Sequence, residues 1–438
     1  MAAATSVRIE LPMKYHIWTV GCQMNVADSR KLAAGLDRAG FEPTEVVDEA
    51  DLVVLNTCSV REHAEDRAIG MLGRLRKQRR DGRDFTIAVM GCMVGPRHDE
   101  LARRFPYVDV FARPQEFAPI LAAVGVEDTG GEFWPTTFAT PDAVTAYVPV
   151  VHGCDKFCTY CIVPYRRGRE RSRTIDDIRN EVEHYCSRGV REVTLLGQTV
   201  EAYGHDLPDR PDLGDLMRAI HDTPGLARIR FLTSYPKDMT ERIIDAVAEL
   251  PRVCENFNIP VQSGDDAVLE RMRRGYTLNE YLEKYELVKS RIPGAAMVTD
   301  IIVGFCGETD AEFQHTCDLL ESLRFDKVHV AAYSPRPGTI AHRTMQDDVP
   351  AEVKQARLHA IEQLEARISL EINRTLLDTE QEVLVETRRE GRWTGRNRQG
   401  KLVHFEGDVR IGDLVPVRIE RATSWSLQGT ALPATVPV

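Results

Sequence analysis

Three short apolar runs, residues 15–20, 52–56 and 86–90, each close on a small or polar residue followed by a cysteine: WTVGC, LNTC and VMGC. Stretches of helical character, such as 29–39, lie between them. Strand, helix, strand in this rhythm predicts a parallel sheet. In such a sheet the carboxyl ends of neighbouring strands border one crevice, which is where ligands bind. Cys22, Cys58 and Cys92, spaced 36 and 34 residues apart, are therefore expected to converge. One buried cysteine could fall there by chance, but three strand ends in register point to a shared site.

A second set is compact. In VHGCDKFCTYCIVPYRRGR the spacing is Cys154-x3-Cys158-x2-Cys161, directly after the first strand of a second βα series. Loops at the carboxyl ends of parallel strands carry barrel active sites. Four thiolates normally saturate an iron-sulfur cubane, and three leave one iron open to a small ligand. The alternative is a structural zinc completed by His152, although a histidine that close would have to bend back to close a tetrahedron. Cys186, Cys254, Cys306 and Cys317 share no spacing and read as small apolar residues.

At 438 residues the chain is too long for one ordinary core. It reads as an α/β multidomain protein: a parallel α/β sheet domain at 13–126, a Gly, Pro and Thr linker at 127–143, a partial (β/α) barrel at 144–372 and a small antiparallel β-barrel at 373–437. Strands of the second series are expected at 146–151, 192–196, 228–233, 256–261, 296–303 and 327–332, and a long helix at 351–376. The last segment alternates as short strands at 381–386, 402–405 and 414–419, the pattern of small barrels that bind nucleic-acid backbones.

The first twelve residues lack the apolar run of about 7–15 that a secretion signal needs. No stretch approaches the roughly 18 uncharged apolar residues of a membrane span. A cytoplasmic protein is the expectation, and ten cysteines there would be kept reduced, as metal ligands or catalytic groups rather than disulfides. A net charge of -11 argues against coating nucleic acid by bulk attraction. Three arginine-rich stretches, at 74–83, 166–173 and 388–401, each read alone as a solvated face, and together suggest a local patch.

These segments resemble the methylthiotransferases of the radical S-adenosylmethionine superfamily. The resemblance rests on GCQMN at 21–25, NTCSVR at 56–61, GCMVG at 91–95 and GCDKFCTYCIVPYRRGRERSR at 153–173, with PVQSGDD at 260–266, TDIIVGF at 299–305 and YSPRPGT at 333–339. It covers nearly the full chain. It implies two 4Fe-4S clusters, one on Cys154, Cys158 and Cys161 that binds S-adenosylmethionine and yields a 5'-deoxyadenosyl radical, and one on Cys22, Cys58 and Cys92 that handles sulfur. Tyr160 and Gln198 would lie against the cofactor.

Among family members the wording is most similar to the enzymes that methylthiolate N(6)-dimethylallyladenosine at nucleotide 37 of tRNA, beside the anticodon. Others act on a threonylcarbamoyl-modified adenosine or on an aspartate of a ribosomal protein. The final barrel resembles the TRAM domain, an RNA-binding module, and Arg388, Arg389, Arg392, Trp393, Arg396, Arg398 and Lys401 would meet the anticodon arm. Flavodoxin or ferredoxin as electron donor, sulfur and cluster supply proteins, and a monomer with no membrane partner complete the expectation. The sequence departs from the family at Cys306, over Gln198, Thr199, Val200, Glu201 and Ala202, and at His342 and Arg343, which bears on the substrate pocket and not on the six cysteines. A non-enzymatic metal- or RNA-binding protein is the remaining alternative.

Overall fold

The computed structural model describes residues 12–59, 62–96, 98–126 and 143–433. The linker stretch thus lies almost wholly outside the described residues. Two compact units divide the chain: Met1–Thr140 with Tyr165–Arg167, and Pro141–Pro164 with Gly168–Val438.

In the first unit β1 (Lys14–Thr19), β2 (Glu42–Pro43), β3 (Leu52–Thr57), β4 (Thr86–Gly91) and β5 (Val110–Ala112) form one sheet in the order β2-β1-β3-β4-β5. Every pairing is parallel. Both faces are covered, because alternate residues of the central strands enter different cores. Val53, Leu55, Ile87 and Val89 pack with Leu72 and Leu75 of the helix Glu62–Arg80. Leu52, Val54, Ala88 and Met90 pack with Leu32 and Leu36 of the helix Gln23–Arg38. Burial on both faces explains why β3 and β4 read as unbroken apolar runs instead of alternating ones. The strand order reverses between β1 and β3, the switch point at which doubly wound sheets take their ligands.

The second unit begins with β6 (Thr145–Pro149) and the short pair β7 (Val151–His152) and β8 (Arg171–Ser172). β9 (Glu192–Leu196), β10 (Arg228–Leu232), β11 (Asn256–Asn258), β12 (Ala296–Val303) and β13 (Lys327–Ala332) follow. The main strands make two parallel triplets, β6-β9-β10 and β11-β12-β13, joined by a parallel bridge between Ile229 and Val253. This is the expected partial barrel with a seam. Helices between the strands start on matched caps, with reciprocal boxes at Asp212/Asp215, Thr277/Glu280 and Thr309/Glu312.

The last segment closes into a barrel of β14 (Glu380–Arg389), β15 (Arg392–Asn397), β16 (Leu402–Glu406), β17 (Leu414–Ala422) and β18 (Leu427–Ala431), ordered β14-β15-β16-β18-β17. Two of these strands, RWTGRN and LQGTA, escape a reading by apolar alternation because each buries so little. The barrel is also not wholly antiparallel, since β16 and β18 pair in parallel. Bulges between Val385 and Thr387 and between Ile419 and Arg421 supply the bends that closure needs. At Gly395 a Cβ would lie 1.9 Å from the Leu384 carbonyl oxygen, so the crossing strands require glycine there.

The barrel is clamped to β10 of its own unit. Arg228, with no exposed surface, donates to the carbonyls of Arg396 (2.7 Å) and Glu382 (2.8 Å). Arg230 donates to the carbonyls of Arg398 (2.8 Å) and Asn397 (2.7 Å), and Asn256 to that of Gln399 (2.7 Å). Arg398 reaches back to Glu255 at 2.6 and 2.9 Å and to the carbonyl of Val253 at 2.7 Å. A guanidinium can serve several carbonyls at once because its donors are fixed in a planar fork. Replacing Arg228 with Met keeps bulk but strands those buried acceptors, at a cost of about 3 kcal/mol. Hydrogen exchange should then speed up in β14 and β15 while the amides of β3 and β4 keep their protection.

Candidate functional site

The three dispersed cysteines stand at the carboxyl ends of three adjacent strands: Cys22 after β1, Cys58 after β3 and Cys92 after β4. The ladder runs right up to them, with Val20 N–H donating to the Asn56 carbonyl and Cys92 N–H to that of Thr57, both 2.9 Å. Cys58 and Cys92 are buried and Cys22 is exposed. A Cβ on Gly21 would lie 2.9 Å from the Cβ of Cys58, so the first strand end must carry glycine for the second to approach.

Buried amides lock these ends together. Asn25 donates to Asn56 Oδ1 (2.8 Å) and to the Thr57 carbonyl (3.0 Å), while Asn56 donates to the Asn25 carbonyl (2.8 Å) and to Ser29 (2.9 Å). Both asparagines have no exposed surface. Sequence reading weighed only the cysteines in GCQMN and NTC, although the asparagines beside them were the available signal.

Arg167 is counted with this unit. Its Nε donates to Cys92 Sγ at 3.3 Å and its Nη2 pairs with Asp28 at 3.2 Å, the Asp28 side chain also receiving Gln115 Nε2 at 3.2 Å. Burial alone would lower the Arg167 pKa, but Cys92, Asp28 and Cys22 more than reverse that, and the group stays charged. Burial pushes the Cys92 thiol up to about 11 against the pull of Arg167.

In the second unit the compact trio occupies the loop after β7. Gly153, at φ +72°, opens it, and a Cβ there would lie 2.0 Å from the Arg169 carbonyl oxygen. Cys154 N–H donates to the Gly168 carbonyl (3.1 Å), and Cys161 N–H to that of Cys158 (3.0 Å). Thr159 pins the middle by donating to the carbonyls of Met272 and Arg271 and accepting from Ala341 N–H. Cys154 Sγ lies 3.6 Å from Thr199 Oγ1, which brings the end of β9 and its neighbour, the half-buried Gln198, to this loop. Burial, with Cys158 and Cys154 acting as like charges, drives the Cys161 thiol up to about 12.

Tyr160 packs as a core aromatic, edge-on to Phe305 and against Val268, Met272 and Tyr333, with its hydroxyl turned to Arg274 at 3.3 Å. The other four cysteines lie apart: Cys186 ends the helix Ile175–Cys186, Cys254 neighbours Arg230, Cys306 packs beside Phe305 and Cys317 lies in the helix Asp310–Leu323. No fourth thiol stands at either trio among the described residues, so the donor set at each fits a three-thiol group.

Several arginines of the three basic stretches are tied to carboxylates of the protein, some of them at its surface. Arg79 pairs with Asp109, Arg74 with Asp48, Arg169 with Asp155, and Arg173 is buried against Glu181. In the barrel Arg398 belongs to the clamp, Lys401 pairs with Asp326 at 2.7 Å, and Arg396 faces Glu386 at 4.0 Å. Arg388, Arg389 and Arg392 are exposed on the β14–β15 hairpin, with Arg388 stacked 4.9 Å over the Trp393 ring.

The sequence profile of the Radical SAM superfamily matches residues 148–320, that of the TRAM domain 374–432, and that of uncharacterized protein family UPF0004 14–112. Fold and profiles together define a radical S-adenosylmethionine protein, a class that carries a 4Fe-4S cluster and S-adenosylmethionine. A tRNA-2-methylthio-N(6)-dimethylallyladenosine synthase of Herpetosiphon aurantiacus is 43% identical over 97% of this chain and 99% of its own length. A namesake from Dehalococcoides mccartyi strain CBDB1 is 45% identical over 94% and 97%. The chain belongs to the methylthiotransferase family, among the tRNA-2-methylthio-N(6)-dimethylallyladenosine synthases. Among solved structures, the radical S-adenosylmethionine methyltransferase TsrM of Kitasatospora setae aligns over 88% of this chain and 81% of its own with a TM-score of 0.55 at 14% identity. The cobalamin-dependent enzyme OxsB aligns over 81% and 56% with a TM-score of 0.54 at 12% identity. At those identities the likeness is one of fold.

Beyond the thiols, β9 leads into a buried carboxyl at Glu201. Burial raises its pKa to about 8 against hydrogen bonds from Ser234 and the Tyr235 amide. A carboxyl raised in the folded state costs nothing below its unfolded value near 4.5 and progressively more stability as pH climbs to 8. Glu201→Gln should therefore melt with the parent at pH 5 and above it at pH 8.5, as read by thermal denaturation at the two pH values.

Proposed function

We infer that this protein attaches a methylthio group to carbon-2 of N(6)-dimethylallyladenosine at nucleotide 37 of tRNA, drawing on two S-adenosylmethionine molecules and bound sulfur. The observation that carries this reading is the pair of three-thiol sites, each on the carboxyl edge of a parallel sheet, in a chain 43–45% identical to synthases of that name. Cys154, Cys158 and Cys161 would hold one 4Fe-4S cluster, and Cys22, Cys58 and Cys92 a second. When bound, the first supplies the electron that cleaves S-adenosylmethionine, and the second offers a corner free of protein for sulfur.

The chain's own residues do the rest. Thr159 and Gly153 fix the compact loop, Thr199 sets the end of β9 beside Cys154, and Gln198 stands next to it to meet the cofactor. Asn25 and Asn56 hold the strand ends that present the other three thiols. The spacing of the compact trio suits a cubane with one open iron better than a zinc completed by His152. Tyr160, packed in the core, would touch the cofactor only through its edge.

Exposed Arg388, Arg389 and Arg392, with the Trp393 ring, are the part of the barrel suited to phosphates and unstacked bases of an anticodon arm. Arg396, Arg398 and Lys401 would position that hairpin rather than bind. We place the protein in the cytoplasm as a monomer served by a flavodoxin or ferredoxin and by sulfur and cluster supply proteins. No described helix is long and apolar enough to cross a membrane.

Nucleoside mass spectrometry of tRNA from a deletion strain should show dimethylallyladenosine lacking its methylthio group, and an unchanged nucleoside profile would sink the assignment. In anaerobically reconstituted protein, Ala at Cys154, Cys158 and Cys161 should abolish 5'-deoxyadenosine release. Ala at Cys22, Cys58 and Cys92 should spare that release, end methylthiolation and remove roughly half the iron. Each of Arg388, Arg389 and Arg392 changed to Ala should lower the salt slope of tRNA affinity by about 0.7 to 0.9, whereas Arg398→Ala should loosen the barrel without that signature.

A further inference from the structure

Arg274 is buried, and each of its three side-chain nitrogens is engaged at the compact trio or in the wall behind it. Nη1 donates to Cys158 Sγ at 3.2 Å and to the Tyr160 hydroxyl at 3.3 Å, Nε to the Tyr276 hydroxyl at 2.9 Å, and Nη2 to the Pro260 carbonyl at 3.3 Å. The rings of Tyr235 and Tyr276 flank it, with centroids 5.0 and 5.2 Å from the guanidinium carbon. No carboxylate is among its hydrogen-bond or ion-pair partners in the described residues. Such a cation costs several kcal/mol to bury unless something negative sits beside it, and Cys158 as a thiolate is the anion within reach.

We propose that Arg274 is a positioning residue that sets the reduction potential of the cluster on Cys154, Cys158 and Cys161. The inference rests on the reading that this trio holds a cluster. One-electron reduction by a flavodoxin- or ferredoxin-class donor adds a unit of negative charge to a site whose three thiolates already make it anionic. In a low-dielectric pocket an adjacent guanidinium stabilises the more negative state, and a charged hydrogen bond to the ligand sulfur acts in the same direction. Arg167 repeats the contact at Cys92 but divides its charge between that thiol and Asp28 at 3.2 Å. Of the two arginines, Arg274 is thus the one whose whole charge is available to the cluster beside it.

The experiment uses full-length protein, reconstituted anaerobically, with iron content measured and the midpoint of each site followed by electron paramagnetic resonance during a redox titration. The compact site is assigned by its loss in a Cys154, Cys158, Cys161→Ala variant. Arg274→Gln should lower the reduced-to-oxidised ratio of that site at fixed potential at least tenfold, about 59 mV for a one-electron couple. Arg274→Lys, which keeps the charge, should recover most of it, and Arg167→Gln should leave this midpoint where it was. A fully loaded Arg274→Gln with an unchanged midpoint overturns the proposal. Loss of iron from both Arg274 variants overturns it too, by making the residue structural. Failure of the underlying reading would look different, because the triple alanine protein would then keep the signal.

Discussion

Parallel pairing places the carboxyl ends of neighbouring strands on one edge, and both groups of thiols stand on such an edge. That geometry lets residues separated by dozens of positions act as one ligand set, and it dictates what must surround them. In the first sheet the central strands are apolar on both faces, so that their polar groups gather at the ends. The turns that leave the first sheet have to pass close to one another, hence glycine at 21, while glycine at 153 lets the compact loop pass the backbone that returns at Gly168 and Arg169. The amides of Asn25 and Asn56 have to be satisfied inward, because no water reaches them.

Buried arginine is the second recurrent device. Arg167, Arg274 and Arg228 each lie inside the protein, and each is held by several acceptors that would otherwise be stranded. At the two thiol sites the acceptor is sulfur; at the barrel it is backbone oxygen. A guanidinium stays charged at any physiological pH, so these contacts persist while neighbouring thiols change state.

Much of this was legible in the sequence. The three strand-end cysteines, the Cys-x3-Cys-x2-Cys loop, the six main barrel strands and the long helix of the second unit follow from periodicity and spacing, because each is a local pattern. The strands Arg392–Asn397 and Leu427–Ala431 were hidden, since their place is fixed by barrel closure and by glycine packing rather than by alternation. The arginines misled for a related reason. Composition shows a cluster of charge, but whether Arg398 meets solvent or Glu255 depends on a partner far along the chain. Arg274, more than a hundred residues from Cys158, carried no signal at all.

The clamp that seats the terminal barrel is made mainly to main-chain oxygens of its own hairpin: Glu382, Arg396, Asn397, Arg398 and Gln399. Every residue type offers the same carbonyl. Apart from Arg398, side chains along this hairpin can therefore drift through evolution while its anchorage stays put, and a surface that must track the changing contours of its nucleic-acid partners gains room to vary without loosening the enzyme beneath it.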